Sequence, residues 1–421
     1  MAANITYHEQ TDIDNIRKLR EVLKTLPAFA KDYFRAIEPT TSTKTRISYA
    51  YDIRIFFQFL ISQNPSLAKI GIPNLNVSVL DQLKPIDIEE YMEYLKLYDS
   101  PNDQTTITNG ERGLKRKISS LRSFYTYYYK RQAIETNPVQ LVDMPKIHDK
   151  AIIRLDAGET AALLDYIEHC GDQLTGQRKA YYEKTKLRDL AIVTLLLGTG
   201  IRVSECVGLD VEDIDFRNNG IRLIRKGGSE MVVYFGPEVE KALKDYLESR
   251  KAISPLEGHE HALFYSTQRK RIGVQAVENL VKKYARAITT TKKITPHKLR
   301  STYGTTLYQE TGDIYLVADV LGQVPRNLSR TNTALGRQPF AKAQSRRCGI
   351  TLWNIQVAML RIVNACFRKI MVPTRGQACL QPLKQHPAVM HLLNHLKPFG
   401  DDLVALTVGI QAVDRLLNLA L

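Results

Sequence analysis

The sequence predicts a mainly α-helical chain with a small β component: an all-helical amino-terminal part, then a mixed α+β part. Three observations carry that expectation. Apolar residues recur at steps of three and four through residues 1–146, with almost no glycine among them. Residues 221–235 alternate instead, on either side of a glycine turn. Between the two regimes, Pro138 and Pro145 bias their predecessors toward extended backbone and stop any helix from running through.

Taken in order, residues 1–22 read as an amino-terminal extension. Ala50, Ile53, Phe56, Phe57, Leu60 and Ile61 then form one face of an amphipathic helix. Pro85-Ile-Asp-Ile-Glu-Glu opens another, with acidic residues where the helix dipole favours them. A third runs from about Gly113 to Arg131, and together these make a helical domain over 23–136. Residues 137–150 read as a linker. Beyond it, Leu187–Leu197 is a buried helix closed by Gly198-Thr199-Gly200. Ile221–Arg225 and Met231–Phe235 pair as a hairpin with Lys226 at its bend, and Pro237 takes the first position of the next helix. This mixed domain spans 151–323. Residues 324–421 differ in character: they hold no Tyr and no Glu, although the chain has 21 Tyr.

Composition narrows the function classes. The chain has 421 residues and a net charge of +15, a length that suggests two or three domains. With 44% hydrophobic and 24% charged residues, most of it can bury cores. It has no apolar run long enough for a membrane span and no basic-then-apolar start of a secretory signal. Its five scattered cysteines form neither a disulfide framework nor a CxxC pair. A soluble, cytoplasmic protein is expected, with no membrane partner. The positive balance suggests nucleic acid. That balance is uneven, however: residues 324–421 carry 13 Lys+Arg and 3 Asp, so 13 − 3 = +10 of the +15 lies there. The nucleic-acid argument therefore rests on a few placed cations.

Four of these are prominent. Arg202 follows the Gly-Thr-Gly break, Lys226 caps the hairpin, and His297 and Arg300 lie one helical turn apart after Pro296. Each alone has an ordinary explanation as a solvated cap, a turn decoration or a structural histidine. Together they suit a phosphate. Arg offers bidentate hydrogen bonds, Lys a point charge or an acid, and His a proton acceptor near neutral pH.

In this context the chain resembles the tyrosine recombinase, or phage-integrase, family, particularly its Xer-type members. Gly200-Ile201-Arg202-Val203-Ser204-Glu205 matches the phrase around the family's first catalytic Arg. Lys226 in Arg225-Lys226-Gly227-Gly228 matches its hairpin Lys, and His297-Lys298-Leu299-Arg300 its H-x-L-R box, followed by one further helix through Leu321-Gly322. The resemblance implies a SAM-like helical core-binding domain and a mixed α+β catalytic domain, clamped around double-stranded DNA. In the family a Tyr hydroxyl attacks the scissile phosphate to give a 3′-phosphotyrosine. Arg202 and Arg300 would stabilise the transition-state charge, Lys226 would protonate the leaving 5′-oxygen, and His297 would assist proton transfer. No metal and no cofactor is implied.

The sequence then departs from the family. After Leu321-Gly322 a His or Trp is expected, with the nucleophilic Tyr nine positions later; the chain has Gln323 and Asn332. No Tyr follows Tyr315. Tyr308 and Tyr315 fall in the helix that the family uses for packing, and Ser329 or Thr331 would be a different chemistry. The expectation is a site-specific recombinase by descent that lacks nucleophilic catalysis, its last catalytic segment replaced by a frame change or insertion. The alternative is a non-catalytic DNA-binding accessory or regulatory protein derived from a recombinase. In the family the segment after the nucleophile docks on a neighbouring subunit, so its replacement removes the basis for the usual self-association on DNA. Gln323 can still donate an amide hydrogen bond to a phosphate.

The remaining candidates are weaker signals. Phe124 and Tyr128 are expected inward, with Lys115, Arg116, Lys117 and Arg122 outward to DNA phosphates beside Lys44 and Arg46. His391 and His395, with Cys379 or His386, lack the partner spacing of a zinc site, so no metal is expected. Cys206 reads as a small buried apolar residue.

Overall fold

The apolar spacing of the first part is realised as helices whose ends are fixed by local chemistry. The structure, a computed structural model, describes residues 6–99, 105–148, 151–225 and 229–322, and divides into two units, Met1–Ala151 and Ile152–Leu421. In the first unit the helices are α1 (Tyr7–Lys24), α2 (Ala30–Ala36), α3 (Thr43–Gln63), α4 (Pro65–Ile70) and α5 (Pro85–Tyr94). A short antiparallel ribbon follows, β1 (Leu97–Asp99) with β2 (Thr106–Thr108), then α6 (Glu111–Lys130) and the single turn α7 (Pro138–Leu141). Residues 7–22 of the stretch read as an extension lie in α1. Thr6 and Glu9 form a capping box that starts α1, which buries Leu19 and Val22 against α3.

The core of this unit is aromatic. Phe56 meets Tyr91 edge-to-face at 5.2 Å between ring centroids, and Phe124 meets Tyr128 at 5.0 Å, both inward as expected. Beside them sits a buried charge. Asp52 of α3 receives both guanidinium nitrogens of Arg116 and, at 3.4 Å, the Lys117 ammonium, both from α6. Burial raises the Asp52 carboxyl above its usual range despite the two cations, and lowers the Lys117 ammonium. The stretch read as a linker is in part docked here. Val139 and Val142 join the core, and Arg122 donates to their carbonyls at 3.1 and 2.9 Å.

The second unit is organised by one buried helix. Its helices are α8 (Ala157–His169), α9 (Gly176–Thr199) and α10 (Val203–Gly208); the strands β3 (Ile214–Asp215), β4 (Gly220–Ile224) and β5 (Glu230–Tyr234) follow. Then come α11 (Pro237–Arg250), α12 (Val274–Ile288), α13 (Pro296–Thr311) and α14 (Ile314–Val320). α9 is buried from Asp189 to Thr199 and packs on α8, α11 and α13. It starts well before Leu187, because its first turns are amphipathic and bury only Tyr182 and Thr185. The hairpin forms as expected, with Ile221 opposite Val233 and Ile224 opposite Glu230; β3 adds a third strand.

The stretch from Ser301 to Gly322, expected as one helix, holds the end of α13 and the whole of α14. Gly312 adopts a left-handed φ of 66° and Asp313 caps α14, accepting from the Tyr315 N–H at 2.8 Å. Tyr308 and Tyr315 consequently face outward rather than into the packing. Among the described residues no helix is long and apolar enough to cross a membrane. Cys206 is fully buried, and burial pushes its thiol up to about 12.

Two measurements check these placements. Asp52→Ala leaves the buried Lys117 without its carboxylate and should cost about 3–5 kcal/mol in urea unfolding of the first unit. A loss near zero would contradict the buried pair. Burial also raises the Glu310 carboxyl in α13 to about 7. A raised folded-state pKa gives stability that is present at acid pH and lost as pH rises through about 7. Replacing Glu310 by Gln should therefore narrow the fall in Tm between about pH 5 and pH 8; an unchanged fall would contradict the assignment.

Candidate functional site

The site begins where α9 ends. Gly200 takes a left-handed φ of 62°, and a Cβ there would strike the Tyr303 ring of α13, so only glycine lets the chain turn at this point. Two residues on, Arg202 sits at the N-cap of α10. An Arg cannot accept a hydrogen bond there, so the buried Glu205 carboxylate does the capping. It accepts from the Arg202 backbone N–H and from its guanidinium, each at 2.7 Å. The Arg202 side chain is 38% exposed, held at its base and open at its rim.

Arg300 lies behind it. Pro296 starts α13 and brings Arg300 inward in the first turns, where it is 4% exposed. Its Nη1 donates to the Gly200 carbonyl at 2.5 Å and its Nη2 to the Leu321 carbonyl. Burial, and then the positive charge of Arg202, lower its pKa to about 10. His297, a turn earlier, is exposed, while Lys298, Arg300 and Arg202 add to partial burial in lowering its pKa. The neutral imidazole, which can accept a proton, is thereby favoured near neutral pH.

A third guanidinium was not singled out from the sequence. Arg225, the residue after β4, donates through Nη2 to the Val320 carbonyl at 2.7 Å. Burial lowers its pKa; the Glu205 carboxylate opposes this and Arg202 adds to it. The only signal in the sequence was its position beside Lys226. Lys226 and Gln323 themselves lie outside the described residues, as do Ser329, Thr331, Asn332 and His391, His395, Cys379 and His386. Among the described residues no group of three His, Cys, Asp or Glu side chains could hold a metal.

The basic residues of the first unit are placed differently from the outward set expected. Lys44 is exposed and Lys115 half-buried. Lys117 points inward to Asp52, and Arg116 is engaged on the same carboxylate. Arg122 is turned onto backbone carbonyls, and Arg46 is buried with its Nη1 on Glu38 at 2.9 Å. Arg46, Arg116, Lys117 and Arg122 each found a fixed acceptor within reach, which helical spacing cannot reveal.

Comparison with known proteins places this arrangement. The model of the phage integrase family matches residues 154–332. The tyrosine recombinase XerC of Caldanaerobacter subterraneus subsp. tengcongensis is 32% identical over 74% of this chain and 83% of its own. The chain belongs to the tyrosine recombinase family. The tyrosine recombinase XerS of Streptococcus equi subsp. zooepidemicus is 30% identical, over 73% of this chain and 91% of its own. Among solved structures, the Tn1549 transposon integrase in complex with transposon right end DNA shares the fold. Its TM-score is 0.50 at 20% identity, over 75% of this chain and 96% of that one. The match to the family model runs to residue 332, past Gly322.

In this member of the family, then, three arginines converge on the end of α9 and the end of α14, with Glu205 among them. Neutralising Glu205 should leave the cluster short of negative charge. Glu205→Gln is expected to lower Tm, and sulfate should restore it more than chloride does at equal ionic strength, because an anion refills the gap. Equal responses of variant and wild type to sulfate would contradict the cluster.

Proposed function

We propose that the chain binds duplex DNA with a phosphate at Arg202, Arg300 and His297, Lys226 completing the set, and that it leaves the phosphodiester unbroken. The helical unit would serve as the core-binding domain and the unit from Ile152 on as the catalytic domain. Membership of the tyrosine recombinase family supports the DNA reading, as does the DNA complex of the fold-sharing integrase. The observation that carries the second half is in the sequence: no Tyr follows Tyr315, and Asn332 stands where the nucleophile is expected.

The chemistry follows from what remains. Arg202 offers a partly open guanidinium for charge-assisted bonds to phosphate oxygens, backed by Arg300. In the family such donors stabilise charge that develops on the attacked phosphorus. Lys226 would supply a proton to a departing 5′-oxygen, and His297 in its neutral form would take one up. Without a tyrosine hydroxyl to form the new P–O bond, neither transfer has a step to assist. The site would hold a phosphate and stop there.

The test uses duplexes selected for binding from a random-sequence pool, nicked beside each candidate phosphate so that any cleavage is trapped. Binding without a protein–DNA adduct on a denaturing gel is expected, and an adduct would overturn the reading. Arg202→Ala should weaken binding roughly tenfold or more. It should also lower the slope of log affinity against log salt by about one phosphate.

A further inference from the structure

Each of the three carbonyls that end α14 accepts from an arginine. Arg225 takes Val320 at 2.7 Å and reaches Asp319 at 3.5 Å, while Arg300 takes the next one, Leu321. Two arginines from separate elements, the hairpin and α13, therefore grip successive carbonyls of a single turn. The turn is also shaped around Arg225. Gly322 has a left-handed φ of 56°, and a Cβ there would collide with the Arg225 guanidinium. On its other side Arg225 is tied into the hairpin: its N–H donates to the Ser229 carbonyl at 2.9 Å, beyond the Ile224–Glu230 pair.

Electrostatics make this placement more than a helix cap. A cation at a helix C-terminus is ordinarily favourable. Here it is brought beside Arg202, in a setting where burial already disfavours its charge, and its Nε is buried without a partner. A half-buried guanidinium whose buried Nε lacks a partner has a cost that a lysine or a shorter side chain would avoid. The α14 carbonyls and Glu205 offset part of it.

We infer that Arg225 is a positioning residue: it fixes the end of α14 so that the Leu321 carbonyl meets Arg300, and it thereby sets the aim of Arg300 at a phosphate. The inference rests on the reading that Arg300 serves a DNA phosphate. Arg225 also joins the hairpin strand that leads to Lys226 to the same turn, so hairpin and α14 are coupled through one side chain.

Binding of the selected duplexes, measured for wild type and variants across a salt series, tests it together with backbone amide exchange in residues 314–322. Arg225→Ala should speed that exchange and weaken binding roughly tenfold while leaving the salt slope unchanged, because Arg225 itself contacts no phosphate. Arg225→Lys should recover part of the affinity. Adding Arg225→Ala to Arg300→Ala should cost nothing further, the non-additivity expected when one residue acts through another. Fully additive losses, or a salt slope lowered by Arg225→Ala alone, would overturn the inference. Should Arg225→Ala fail to fold, Gly322→Ala displaces the guanidinium from the other side. It should show the same faster exchange and the same non-additivity with Arg300→Ala, and its silence would overturn the inference equally. If wild type binds no duplex, the DNA reading fails on its own. The exchange arm then decides the coupling, with faster exchange in Arg225→Ala supporting it and unchanged exchange overturning it.

Discussion

The buried guanidinium of Arg300 is the interaction on which the second unit's site depends. It joins the last turn of α9, through the Gly200 carbonyl, to the last turn of α14, through Leu321, from a residue on α13. Three helices are thus referenced to one planar group with fixed donor directions, a task that lysine cannot perform. Everything nearby is arranged around that group. Gly200 is left-handed against Tyr303, Gly322 is left-handed against Arg225, and Arg202 follows at a fixed offset with Glu205 beneath it.

This arrangement concentrates positive charge where water is scarce. Burial lowers the pKa of Arg300 and Arg225, and Arg202 adds to both effects. The cluster sets three guanidinium groups around the Glu205 carboxylate, a surplus of positive charge suited to an anion. It also differs from a charged cluster in the first unit. Asp52 with Arg116 and Lys117 contains its own counter-charge, so that cluster is a structural tie between α3 and α6.

Much of the fold was legible because its signals are local. Pro85, Pro237 and Pro296 mark helix starts, Gly200 marks a stop, and alternation marks the β4–β5 hairpin. The site was legible in part, since Arg202, His297 and Arg300 lie in phrases that resemble a family. What stayed hidden depends on contacts between distant residues. The spacing of α6 sets Lys117 on the face of Leu114, Ile118 and Leu121, but nothing in it shows that Asp52 of α3 waits there to hold the ammonium. The break at Gly312 and the first turns of α9 were missed because polar, amphipathic stretches give weaker periodicity than buried ones. Arg225 was overlooked because its partners, Val320 and Gly322, are backbone features that carry no sequence signature of an arginine contact.

Under the proposed function, a DNA phosphate sits at this arginine cluster and remains an intact diester. An experimental structure of the chain with a selected duplex tests it most directly. The expected result is a phosphate within hydrogen-bonding distance of the Arg202 guanidinium, with both of its P–O–C links unbroken. A duplex bound away from Arg202 and Arg300, or a phosphate joined covalently to any side chain, would contradict it.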